Sequence, residues 1–412
     1  MIPRILESER QNWTFFSQSL IKKYLFFMLV FIYGLIFYKM WTNQLALDFY
    51  AFHASTSALF QGNNPYSSLK IPYFATQYKM GANLNMPIFI MLCWPLSKLN
   101  HLPAIMIWSS ISFILGLIAA SVAFKLTFST AFIKQNRFFL YSAYLLLFST
   151  IANVDVAQIG SVVAFLLIVG YDAYKNKRYV LASVLWGIII SIKLFPGLLF
   201  FYVLRQRQYK MFAIMAATVI ILSVIPMLTY GMDIYASYFK LLPSVPWYGD
   251  SWNASIYGFL FRLFVDSSTL HHLHGIQMVY SALALTCLAW YVKQLYSLPA
   301  QNDKYHYQFC LTLIMMLLIS PFGWIYYFPM LLLPLLITWS QAARMMEKQQ
   351  IILWFTSLFL LNFPLWNIHA TLMPSLLEKL SIGSFWFYGL MLLAYLFRNS
   401  AKAEYVGDQN KL

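Results

Sequence analysis

Three ionisable side chains stand where an apolar chain accommodates them least. Asp48 is the one acid in NQLALDFYAFHASTSALFQGNNPY (residues 43–66), a stretch that begins just after a long apolar run. Lys193 lies within IIISIKLFPGLL, and Arg262 within SIYGFLFRLFV (255–265), which is too short to cross a bilayer. A carboxylate at a membrane surface can take a proton from a weak nucleophile as a general base. Two cations facing one cavity can hold an anion, phosphate foremost. Each has a plainer reading. Asp48 is then a solvated loop carboxylate or the N-cap of a helix starting at Phe49, and the cations are side chains snorkelling to water.

The surroundings show how unusual those charges are. Of 412 residues, 61% are hydrophobic and 10% charged, against about 25% charged in ordinary soluble domains. Continuous apolar runs reach the roughly 20 residues that span a bilayer, and they lack the short alternation of a β-barrel. The expected class is an all-α polytopic membrane protein. The net charge of +15 is no nucleic-acid signal, because Lys and Arg cluster in short segments between apolar runs. Cys93, Cys287 and Cys310 have neither metal spacing nor a disulfide framework and read as buried thiols. The first apolar run, near 24–42, is too long for a cleavable signal sequence.

Basic clusters set the expected topology. Arg4, Arg10, Lys22 and Lys23 place the N-terminus in the cytoplasm, and basic loops recur at Lys125/Lys134/Arg137, Lys175/Lys177/Arg178, Arg205/Arg207/Lys210, Lys293/Lys304, Arg344/Lys348 and Arg398/Lys402/Lys411. These positions hold 20 of the 28 basic residues. Holding them on one side gives about ten full spans and two cytoplasmic termini. Segment 179–204 is basic at both ends but too short to cross twice as regular helix, and Lys193-Leu-Phe-Pro196-Gly197 breaks it, so a re-entrant hairpin is expected. Long outer loops follow at about 43–103 and 231–275, the first holding interfacial helices over 49–60 and 86–97. The expected organisation is a cytoplasmic segment 1–22, one transmembrane catalytic domain 23–398 and a tail 399–412.

Among the 13 acids, Asp48, Asp155, Asp233, Asp250, Asp266 and Glu378 fall on the outer side or its edge. WNASIYG adds Asn253 and Ser255 and matches a glycosylation sequon. HHLH (271–274) has no acid or cysteine nearby to complete a metal site and reads as an interfacial loop. No metal ligand set or cofactor motif emerges, and the composition leaves dependence on a divalent metal open.

These stretches occur in an order that resembles glycosyltransferase family 87, within the GT-C class of membrane glycosyltransferases, to which the mycobacterial polyprenol-phosphate-mannose-dependent mannosyltransferases belong. The resemblance runs from about residue 30 to 340. DFYAFHASTSALFQGNNPY resembles the family's acid-headed, Ala-containing opening that ends in Gly-x₂-Pro-Tyr. NMPIFIMLCWPLSKL, headed by Asn85, resembles its Asn-Pro and Pro-Leu helix. AQIGSVVAFLLIVG resembles its Gly-Gln-x-Asn helix and keeps Gln158, with Ala157 and Gly160 where Gly and Asn are usual. SIKLFPGLLFFYVLRQRQYK resembles its I-K-x-x-P hairpin, and WNASIYGFLFRLF its N-x-S-x-x-G-x-x-x-R-L segment. ISPFGWIYYFPMLLLPLL resembles its Ser-Pro-x-x-Trp helix, with Trp324, and has Tyr326 and Tyr327 where related enzymes often carry His.

The resemblance implies a GT-C-type helical bundle in a bacterial inner membrane with its active site on the periplasmic face. It implies a polyprenyl-phosphate donor of a hexose such as mannose, and a glycan or glycolipid acceptor attacking the anomeric carbon with inversion. Asp48 is then the base, Lys193 and Arg262 bind the donor phosphate, and Asn85, Gln158, Asn253, Ser255, Trp324, Tyr326 and Tyr327 line the substrate site. Two rivals handle similar lipids. A lipid-linked glycan polymerase or ligase usually keeps its main outer loop late in the chain, and a lipid-linked sugar transporter needs no acid-headed outer loop.

Overall fold

A computed structural model of the chain describes residues 19–42, 46–67, 83–267, 269–297, 306–345 and 348–409. Arg4, Arg10, Lys304 and Lys411, and parts of the expected terminal segments and of the first outer loop, lie outside the described residues. The fold is helical: among the described residues the only β pairing is one bridge between Asn253 and Trp324. The helices are α1 (Ser19–Thr42), α2 (Leu47–Phe60), α3 (Pro87–Leu92), α4 (Trp94–Ser97), α5 (His101–Thr127), α6 (Thr130–Leu146), α7 (Phe148–Asp155), α8 (Gly160–Lys175), α9 (Tyr179–Ile192) and α10 (Leu199–Arg205). After these come α11 (Tyr209–Tyr230), α12 (Asp233–Leu241), α13 (Ile256–Phe264), α14 (Leu273–Ser297), α15 (Tyr307–Ile319), α16 (Leu332–Met345), α17 (Lys348–Leu361), α18 (Leu376–Leu380) and α19 (Phe385–Gln409).

Among the described residues five helices are long and apolar enough to cross a bilayer, or six if the bent pair α6–α7 counts as one. Length and composition thus account for five or six of the roughly ten crossings expected. Of the other segments counted toward ten, α15 is a shorter apolar helix.

The centre of the bundle is built around α8. Its neighbour α5 buries a face of small residues, among them Ser112, Gly116, Ala119, Ala120 and Ala123, which lets the two backbones approach closely. On its other side α8 packs against α9, where Gly170 leaves room for the Trp186 indole. Trp186 Nε1 donates to Leu167 O at 3.2 Å. α9 packs in turn on α11, and α17 on α19.

The break expected in segment 179–204 falls where proline chemistry requires it. Pro196 has no N–H to give the carbonyl of Ile192, and its ring would clash with that carbonyl in a continuous helix. α9 therefore stops at Ile192, Lys193 is extended (φ −139°, ψ 136°), and one 3₁₀ turn (Phe195–Leu198) leads into α10. The freed carbonyl of Ile192 accepts from Met86 N at 3.3 Å, which ties the hairpin to the 83–86 loop. The two short apolar stretches of the first loop are helical as expected, as α2 and as α3 with α4.

Candidate active site

Asp48 lies in the first turn of α2. The residue at the N-cap is Ala46, and no side chain caps this helix, so the capping role considered for Asp48 does not apply. Its carboxylate is half-buried and faces three elements that are far apart in sequence. Loss of solvent pushes its pKa up to about 6, and a hydrogen bond from Gln158 and the charge of Lys193 oppose that rise. Tyr326 and Tyr327 are close enough to feel the Asp48 charge.

Gln158 is placed by a tight turn between α7 and α8. Ala157 has φ +52°, the left-handed region that favours glycine, which explains why Gly is usual there in the family that the motif resembles. Trp108 Nε1 donates to Ala157 O at 2.7 Å and pins the turn. Gln158 Oε1 accepts from Ile159 N at 3.0 Å, leaving the NH₂ end for Asp48. Gly160 allows α8 to sit flush on the next segment, because a Cβ there would lie 1.7 Å from Tyr326 O. Larger residues at 160 need a different arrangement of the 325–331 turn.

Lys193 is 5% exposed. Its ammonium donates to Leu84 O at 3.1 Å and lies 5.8 and 5.7 Å from the ring centres of Phe322 and Tyr327. Asn85 adjoins it: both its backbone N and its Nδ2 donate to Asn83 Oδ1, and Tyr66 OH donates to Asn85 O. Asn85 Oδ1 and Asn83 Nδ2 are buried without a hydrogen-bond partner, as is Trp324 Nε1. Such orphans are uncommon in folded proteins and ask for a reason. Trp324 stacks on Tyr326 with ring centres 6.0 Å apart. Asp48, Asn85, Gln158, Lys193, Trp324, Tyr326 and Tyr327 therefore gather in one region. Asn83 belongs with them and escaped the sequence reading, since a lone Asn in a loop carries no signal of its own.

Arg262, Asn253 and Ser255 form a different centre. Arg262 is fully buried, with Nε donating to Gly249 O (2.9 Å), Nη1 to Ser384 Oγ (2.7 Å), and Nη2 to Asp250 O (3.0 Å) and Asn253 O (2.8 Å). A guanidinium has five N–H groups, and four of these directions are taken. The expectation that Arg262 shares a phosphate cavity with Lys193 finds no support in this geometry: four of its five N–H groups are given to Gly249 O, Asp250 O, Asn253 O and Ser384 Oγ. Asn253 is saturated too. Its Nδ2 donates to Tyr248 O and Pro321 O, and its Oδ1 accepts from Ser255 N and Oγ. Ser255 Oγ then caps α13 by accepting from Gly258 N. Asn253 and Ser255 are fully buried, so they shape α13 instead of lining an open site, and the sequon is inaccessible in the folded chain.

The two centres are joined through the backbone. Ala254 N donates to Gly323 O and Ile325 N to Trp252 O, so the 252–254 segment holds the Trp324 turn in place. Beyond it, the buried Asp250 carboxylate accepts from His369 Nδ1 (2.7 Å), Asn367 Nδ2 (3.1 Å) and Ala370 N (3.1 Å). The hydrogen bond to Asp250 holds the largely exposed His369 imidazole above its usual pKa. Among the described residues no group of three or more His, Cys, Asp or Glu gathers as a metal site.

The sequence model of glycosyltransferase family 87 matches residues 83–321, more than half of the chain. That range contains Asn85, Gln158, Lys193 and Arg262, while Asp48 precedes it and Trp324, Tyr326 and Tyr327 follow it. No curated protein and no solved structure matches the chain. Apolar helices able to cross a bilayer, the Lys193 hairpin broken by proline and the family match over the bundle's centre agree: this membrane protein belongs to glycosyltransferase family 87.

Proposed function

We propose that the protein moves a hexose from a polyprenyl-phosphate donor to a hydroxyl of a glycan or glycolipid acceptor at the outer membrane face, with inversion. The observation that carries this reading is the Asp48 carboxylate, held half-buried beside Gln158 and Lys193 with its pKa lifted to about 6. A raised pKa strengthens a carboxylate as a base while leaving it ionised at neutral pH.

The acceptor oxygen forms a bond to the anomeric carbon from the face opposite the phosphate. The bond from that carbon to the phosphate oxygen breaks, and the acceptor proton passes to Asp48. Polyprenyl phosphate leaves as an anion and needs no proton, but charge builds on its oxygens. Lys193 answers that charge, with the unpartnered Nδ2 of Asn83 next to its Leu84 contact in sequence and the Tyr327 ring against its ammonium. One carboxylate and one buried cation suffice for this chemistry, whereas a glycoside hydrolase needs two carboxylates.

The test is Asp48→Asn in purified protein reconstituted in lipid, with a labelled polyprenyl-phosphate sugar. Donor binding should persist while transfer falls by about 10² to 10⁴-fold, the usual worth of a general base. Transfer at near wild-type rate would remove Asp48 from the mechanism.

A further inference from the structure

The loop between α17 and α18 crosses segment 250–252 and is tied to it almost residue by residue. Trp252 Nε1 donates to Leu365 O (2.9 Å) and Trp252 N to Asn367 Oδ1 (3.3 Å). Ser251 N donates to Ile368 O (3.0 Å), and Ile368 N to Ser251 Oγ (2.8 Å). Asn367, His369 and Ala370 all bond the Asp250 carboxylate. Of residues 365–370, Trp366 alone makes no hydrogen bond to that segment, and it is 52% exposed.

The exposed indole is nonetheless held in place. Its ring centre lies 6.1 Å from that of Trp252 and 5.8 Å from that of Phe148, and the Lys39 ammonium stands 5.6 Å from it. Lys39 pairs with Asp155 at 3.4 Å. On the same loop His369 commits Nδ1 to Asp250, so Nε2 is the ring nitrogen left for a ligand. A lone tryptophan at a bilayer interface is ordinary. Here an ammonium, a carboxylate and an imidazole share its surroundings, and such groups need water where hydrocarbon would exclude them. An apolar ring kept in a wet, polar setting by a loop otherwise bonded throughout marks a binding site.

The mixture of groups points to a sugar. A pyranose has an apolar C–H face and a rim of hydroxyls that both donate and accept. The indole matches the face, while Asp155, Lys39 and His369 Nε2 match the rim. The position agrees. Asp155 ends α7 and precedes Gln158 by three residues, at most about 11 Å of chain, and Gln158 hydrogen-bonds Asp48. We infer, resting on the transfer proposed at Asp48, that Trp366, His369 and the Lys39–Asp155 pair form a saccharide subsite for the part of the acceptor glycan beyond its reacting hydroxyl.

The test measures binding without chemistry. Saturation-transfer NMR is run on the full chain in phospholipid nanodiscs, with no donor, against the methyl glycosides of mannose, glucose and galactose and the homodisaccharides of each. One or more of these sugars should bind the wild-type protein, and Asp48→Asn should bind it equally. Trp366→Ala, at an exposed position, should weaken that sugar about 3- to 10-fold, the worth of one aromatic contact, and Trp366→Phe should recover part of the loss. His369→Asn keeps an N–H for Asp250 but removes Nε2, and should weaken the sugar about threefold. Failure of every sugar to bind the wild type overturns the inference. So does an affinity unchanged in Trp366→Ala, the result expected of a mere interface anchor. The two readings fail separately: normal transfer by Asp48→Asn removes the base and leaves the sugar titrations as they were.

Discussion

The neighbourhoods of Asp48 and Arg262 are both polar, both charged and both largely withdrawn from solvent, yet they are built in opposite ways. Around Arg262 every polar atom has an assignment: four guanidinium bonds to the chain, a fully used Asn253 amide and a capped α13. Around Asp48 there is surplus capacity. Asn83 Nδ2, Asn85 Oδ1 and Trp324 Nε1 lack partners, the Lys193 ammonium carries three protons and gives one to Leu84 O, and Ala157 is left-handed. A buried charge whose bonds are all made locally holds a fold together. A buried charge among unmet donors and acceptors is arranged for something that arrives later. The difference separates a structural cation from a working one more sharply than burial does.

Substituting each cation with Met sharpens that contrast and carries the largest expected effect. Arg262→Met strands the carbonyls of Gly249, Asp250 and Asn253 and loosens the Trp324 turn. Breaking such a buried network costs about 3–5 kcal/mol, so little folded protein should be recovered from membranes. Lys193→Met loses one carbonyl contact and keeps most of the stem. It should insert and fold normally, with turnover lower by about 10²-fold as phosphate stabilisation is lost. Size-exclusion profiles and transfer rates of the two variants check this. The comparison breaks if Arg262→Met is folded with only its donor kinetics impaired.

A pH profile probes the same region with a smaller effect. The Asp48 pKa is raised from the ordinary carboxylate value to about 6, chiefly by desolvation, so the base is lost as pH falls through about 6. The kcat/KM of the wild-type protein should decline on the acid side with its midpoint near there. An ordinary aspartate would stay ionised two units lower. Because the Lys193 charge and the Gln158 hydrogen bond both lower that pKa, Lys193→Met and Gln158→Leu should each move the acid limb to higher pH. An acid limb that stays in place in both variants would detach the titrating group from this cluster.

Much of this contrast was out of reach of the sequence, and particular residues show why. The hairpin break was legible because Pro196 acts on the carbonyl four residues back, a local steric fact. The short helices within 49–60 and 86–97 were legible from length and apolarity. Arg262 was not, because whether an arginine is free or saturated depends on partners brought in by the fold. Ser384, which takes one of its N–H groups, is 122 residues away. The Asp250–His369 contact spans 119 residues and belongs to the same class. The count of crossings meets a related limit: hydropathy marks α15 as apolar, but its residues are buried among other helices, and burial by protein and by lipid demand the same side chains.

The smallest expected effect concerns Ala157, and it asks whether strain beside Gln158 is part of the working region. An alanine held at φ +52° is disfavoured by roughly 1–2 kcal/mol relative to right-handed backbone. Glycine removes that strain but has more freedom to lose on folding, which returns about 0.4–1 kcal/mol. Ala157→Gly should therefore stabilise the protein by about 0.5–1 kcal/mol, near a degree in Tm for a chain of this length. The Trp108 bond to the residue 157 carbonyl needs no side chain at 157, so it should survive. If the turn serves only to present Gln158, the acid limb of the pH profile stays where it is in the wild type. A lowered Tm would mean that the alanine methyl is packed more favourably than its backbone is strained. A shifted acid limb at unchanged Tm would mean that the turn, through Gln158, sets the carboxylate's affinity for its proton.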